Sequence, residues 1–181
     1  MMVSVAIFAI VMTIALGALL AMSESDRKAQ TLKSVINNLN FSLDSMTRSI
    51  RTGLSYHCDA AQSPLGSPRD CADTPASSLA YQPAPGGTIV YRLETVDSAL
   101  CGQPSNRLGC IVRSSDGGVT YSAITSSEVY INALKFYVTG AESANVQPKV
   151  TILISGIVTV NSTQNSAFNL QTSVTQRLYD Q

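Results

Sequence analysis

The sequence is short of charge and shorter still of residues that do chemistry. Only 13% of its 181 residues are charged, about half the ~25% of an average globular chain. Twelve basic residues balance twelve acidic ones, which indicates neither a basic nucleic-acid binder nor an acidic tail. After Gly53 seven scattered bases face nine acids, so no DNA-binding stripe is visible. His57 is the only histidine, which removes most Ser-His-Asp and Cys-His arrangements. No Gly-rich loop with a following Lys offers a phosphate cradle. Asp59, Asp70 and Asp73 gather in one stretch, but their spacing does not match a calcium-binding EF-hand loop. The expectation is a protein that is not an enzyme and needs no cofactor or metal.

Charge is wholly missing from one place, because nothing before Glu24 carries any. From Met1 to Met22 only Ser4, Thr13 and Gly17 interrupt Met, Val, Ala, Ile, Leu and Phe. A helix of this length rises roughly 33 Å, enough to cross a ~30 Å hydrocarbon core. Its membrane or assembly surface is expected from Val3, Val5, Ile7, Phe8, Ile10, Val11, Ile14, Leu16, Leu19 and Leu20. A secretory signal cleaved near Ala21-Met22-Ser23 is the competing reading, but the apolar run exceeds the roughly 7–15 residues of a signal.

The helical pattern also continues past the apolar run. Leu32, Val35, Ile36, Leu39, Leu43, Met46 and Ile50 recur at helical spacing, a stripe expected to pack on a sheet. Arg27, Lys28, Lys33, Asn37, Asp44, Arg48 and Arg51 form the opposite face, and no Pro or Gly intervenes between Ala18 and Arg51. The spacing predicts one helix of about 50 residues, with Gly53 as its C-cap.

All four cysteines lie beyond this helix. Neighbouring pairs suggest disulfides Cys58–Cys71 and Cys101–Cys110, although four cysteines permit three pairings. Zinc is the competing reading, and the spacings supply no Cys-x2-4-Cys knuckle. Disulfides imply an oxidising space outside the cytoplasm.

Five prolines and several glycines mark residues 54–87 as an irregular connection. Strand patterns occupy 88–181: Thr88 to Thr95 alternates, and Cys110 to Arg113 and Val119 to Ile124 flank the turn Asp116-Gly117-Gly118. Segments 150–160 and 168–178 alternate around a connector from Asn161 to Ala167, predicting a hairpin. A change of phase places a bulge near Asn132-Ala133. The fold class is α+β. Residues 1–22 form a transmembrane or filament-core helix, 23–53 its amphipathic continuation, 54–87 the Pro-rich loop, and 88–181 an antiparallel sheet head on which the helix packs.

With that organisation the chain resembles the type IV pilin-like proteins, which include pilins and type II secretion pseudopilins. The likeness rests on Met1 to Met22 (MMVSVAIFAIVMTIALGALLAM), on the amphipathic Ser23 to Arg51, and on the disulfide-bearing α+β head. The stretch Val3 to Ile10 is similar to the apolar segment immediately after the family's Phe-Thr-Leu-Ile-Glu processing motif. Phe168 to Arg177 (FNLQTSVTQR) resembles the last strand of J-type minor pseudopilins. The motif itself is not in this chain; Met1-Met2-Val3 aligns immediately after its glutamate, and a few preceding residues are expected.

The resemblance implies a minor subunit of a type IV pilus-like or type II secretion pseudopilus filament, with its head outside the cytoplasm. Its implied partners are copies of itself, other pilin-like subunits, the lipid bilayer, the inner-membrane assembly machinery and a prepilin peptidase. The alternative is a membrane-anchored binding or adhesion module that does not polymerise. Tyr81, Tyr91, Tyr121, Tyr130 and Tyr137 are the residues that would give it a ligand face.

Overall fold

The computed structural model describes residues 2–61, 64–83, 86–95, 99–101, 109–127, 129–143, 145–161 and 164–177. Helix α1 runs unbroken from Met2 to Arg51, about 75 Å at 1.5 Å per residue. Beyond it the chain builds two antiparallel sheets. The first is a meander of β1 (Gly53–Cys58), β2 (Ser78–Pro83), β3 (Ile89–Glu94), β4 (Cys110–Ser114) and the two-residue β5 (Ser122–Ala123). The second is a meander of β6 (Val129–Thr139), β7 (Lys149–Asn161) and β8 (Gln164–Thr175).

The head therefore begins at Gly53, and the stretch expected to be irregular holds two strands. In β2, Ser78, Leu79, Ala80 and Tyr81 are all buried. Burial on both faces removes the apolar-polar alternation by which a strand is recognised. The head also contains two sheets where one was expected. Backbone bridges Ala76↔Phe136 and Gly109↔Ile131 join them along the outer edge of β6. The bulge predicted near Asn132-Ala133 is present, as a register shift between Ile131 and Ala133. The β7–β8 hairpin is also present, with a tighter connection than expected, because β8 already includes Ser166 and Ala167 and Asn161 pairs with Gln164.

One core serves the helix and both sheets. Val35, Met46 and Ile50 meet Tyr56, Leu79, Tyr81, Tyr91 and Ile111 of the first sheet and Ile131, Leu134, Phe136, Ile152, Ile154 and Val174 of the second. Tyr81 lies between Tyr56 and Tyr91, with ring centroids 6.1 Å apart on each side. Burial pushes the Tyr56 and Tyr81 phenols above the usual tyrosine range, so both stay neutral.

The helix ends against this core. Tyr56 Oη donates to Ile50 O at 2.6 Å, and Arg177 N donates to Arg51 O at 2.8 Å, satisfying carbonyls that a helix terminus leaves open. Gly53 is not the left-handed cap anticipated, since it is absent from the positive-φ glycines. Glycine is required there for a different reason: a Cβ would run into the Tyr81 ring.

Candidate assembly helix and its disulfide-locked head

The two halves of α1 have different surroundings. Val3, Val5, Ile7, Phe8, Ile10, Val11, Ile14, Leu16, Leu19 and Leu20 are all exposed, at 58–73%. None of them is covered by the described residues of the head. At about 1.5–3 kcal/mol for each large apolar side chain buried, these ten disfavour solution in water by about 15–30 kcal/mol. The segment is long and apolar enough to cross a membrane. Beyond its first turn its backbone is satisfied within the helix, as a hydrocarbon environment demands. Thr13 Oγ1 lies 2.8 Å from Ile10 O and 3.1 Å from Ala9 O, so its one hydroxyl proton also stays within the helix. Among the described residues nothing outside the local helix backbone lies within 4 Å of where a Gly17 side chain would stand, leaving a flat spot open to a neighbouring helix.

From Leu32 onward the head covers one stripe. Val35, Leu39, Met46 and Ile50 are buried, and Leu32 and Leu43 are half-buried. Ile36, expected on this stripe, is 44% exposed. At 100° per residue the buried set centres about 80° away from it, so Ile36 falls on the flank. Ser42 occupies the stripe in its place, 8% exposed, with Oγ 2.6 Å from Ile124 O. That contact joins the helix to the residue following β5, and a polar residue in an apolar stripe gave no sign of it. Ser49 Oγ likewise lies 2.6 Å from Tyr81 Oη.

All four cysteines are consumed in Cys58–Cys71 and Cys101–Cys110, with Cα–Cα distances of 5.9 and 5.6 Å. A thiolate zinc site therefore has no sulfur ligands. The first disulfide closes the segment leaving β1 and sets it along β6, where Cys71 N donates to Val138 O at 2.9 Å. Together with the Ala76–Phe136 bonds this segment seals the outer edge of β6.

An open cavity of about 680 Å³ beside this disulfide gathers Asp59, Asp70, Asp73 and Glu142. Asp70 is already engaged, accepting from Gly140 N at 3.1 Å and Ala141 N at 2.7 Å, while its own N–H donates to Glu142 Oε1. Among the described residues no group of three or more His, Cys, Asp or Glu is placed to hold a metal ion. His57 lies in the core, its Nδ1 2.7 Å from Ser67 O and its Nε2 buried without a hydrogen-bond partner among the described residues. A ring nitrogen facing a carbonyl must carry the proton, so His57 Nδ1–H donates to Ser67 O and ties β1 to the loop.

The tyrosine face of the binding alternative does not form. Tyr81, Tyr91 and Tyr130 are buried, Tyr137 is half-buried, and Tyr121 carries the Arg92 guanidinium 3.9 Å above its ring. No family model, no curated protein and no solved structure matches this chain, so function must be argued from the chain's own geometry.

Proposed function

We propose that the chain is a minor structural subunit of a type IV pilus-like or type II secretion pseudopilus filament. Its N-terminal helix holds it in the membrane before assembly, and its disulfide-bonded head lies outside the cytoplasm. One observation carries the reading: a helix whose second half is capped and packed by the head, and whose apolar first half projects with nothing among the described residues to cover it. Lipid can cover that surface, and so can copies of the same helix gathered into a bundle. The continuity of α1 supports the filament form, because a rigid helix fixes each head relative to its own apolar end. Pilin-like partner subunits, an inner-membrane assembly machine and a prepilin peptidase belong to the same proposal.

The test is fractionation after Ile7, Phe8, Ile10 and Ile14 are all replaced by Lys. Each charge near the middle of a membrane helix costs about 2.5–3.5 kcal/mol, on top of the apolar contribution removed, so four together match the segment's preference for an apolar environment. The variant is expected to leave the membrane and to lose co-purification with filaments while keeping a folded head. Unchanged fractionation sinks the proposal, whereas membrane residence without any filament points to the anchored binding module.

A further inference from the structure

The two outer edges of the second sheet are treated differently. On β6 the edge is sealed by backbone bonds from Cys71, Ala76 and Gly109. On β8, among the described residues, no backbone from outside the sheet bonds to residues 166–175. An edge strand presents every second N–H and C=O outward, and proteins usually guard such an edge with lysine, proline, a bulge or short length. β8 has none of these guards. It runs for 12 residues, carries no charge and no proline, and pairs in regular register from Asn165 to Thr175.

A groove of about 420 Å³ runs along this edge. One wall is Thr172 to Thr175, consecutive residues whose side chains alternate between the sheet's faces, so it is the strand's rim that lines the groove. The other wall is Asp44, Thr47, Arg48 and Arg51, spaced to share one face of α1. Arg48 pairs with Asp44 at 3.6 Å while both stay mostly exposed, so the pair is weak and open to exchange. Among the described residues Arg51 has no carboxylate partner.

We propose that the β8 edge and this arginine wall form a strand-addition site for an extended acidic segment of another protein. Main-chain bonds to β8 hold the segment, and its carboxylates meet Arg48 and Arg51. A second copy adding through its own β8 is a poorer occupant, because Gln164–Thr175 contains no acid to offer these arginines. The site does not depend on polymerisation and serves a filament subunit or an anchored monomer equally.

The full chain in detergent micelles is titrated with a labelled, threonine-rich extended peptide bearing paired glutamates, and with versions bearing glutamines or lysines. Hydrogen exchange of the β8 amides is followed in parallel. The glutamate peptide is expected to slow β8 exchange and to bind about tenfold more tightly than the glutamine peptide, a gap that closes in Arg51→Gln. Arg51 is exposed, and the peptide series leaves the fold untouched, so neither arm depends on a refolded variant. Equal binding of all three peptides overturns the proposal. So does β8 protection that appears without peptide as the chain is concentrated.

Discussion

Within one unbroken helix, Val3 to Leu20 leave every large apolar side chain more than 40% exposed, while Val35, Leu39, Met46 and Ile50 are at most 3% exposed. The secondary structure is identical in both halves. The difference lies in what covers them: the second half is covered by its own chain, and among the described residues nothing covers the first. The lesson is that helix formation and helix burial are separate events, and that only the second locates a partner.

Substitutions of the same kind in the two halves sharpen that contrast. Ile50→Ala or Phe136→Ala should cost about 2–5 kcal/mol of head stability, because the cavity left cannot collapse in a core shared by three elements. Ile10→Ala should leave head unfolding unchanged. Urea unfolding followed by tyrosine fluorescence checks both, and a matching loss from Ile10→Ala would break the separation of the halves.

A smaller effect distinguishes the stripe as built from the stripe as patterned. Ser42→Ala strands Ile124 O inside the head and should cost about 1–3 kcal/mol. Ile36→Ala, on the flank, should stay within about 0.5 kcal/mol. The reverse ranking would mean that the helix sits in a different rotation on the sheets.

The smallest effect is local. The Asp116 carboxylate accepts from Ser114 Oγ at 2.6 Å, from Thr120 Oγ1 and N, and from Val119 N, which holds its pKa well below the usual carboxylate range. A depressed folded-state pKa adds stability that is fully present above the unfolded value of about 3.9 and is lost as pH falls through the folded one. The turn between β4 and β5 should therefore be insensitive to pH from neutrality down to about 4 and loosen only below it. Asp116→Asn should speed amide exchange at Val119 and Thr120 at neutral pH, without displacing α1.

Much of this was legible in the sequence, and the misses have physical causes. The second half of α1, the β7–β8 hairpin and the bulge before Ala133 follow from periodicity, since each lies on an element with one apolar and one polar side, while the first half of α1 follows from its unbroken apolar run. β1 and β2 were not legible, because consecutive burial of Tyr56 to Cys58 in β1 and of Ser78 to Tyr81 in β2 erases alternation and prolines punctuate their surroundings. Ser42 and Ile36 exchanged roles because a hydroxyl finds a carbonyl partner only once β5 has been placed. The cysteine pairing was suggested by proximity alone and stands in the fold. The arginine groove at β8 carried no sequence signal, since its walls lie more than a hundred residues apart in the chain.

The central claim is that the bare half of α1 packs against the helices of neighbouring subunits, its own copies or other pilin-like chains. A photo-crosslinking amino acid placed at Ala9 or Gly17 and irradiated in membranes captures a neighbouring helix whatever its register. The account predicts protein adducts larger than the monomer through both positions, with none through the same probe at buried Val35. Monomer alone at Ala9 and Gly17, in membranes that hold the protein at its normal density, would contradict it.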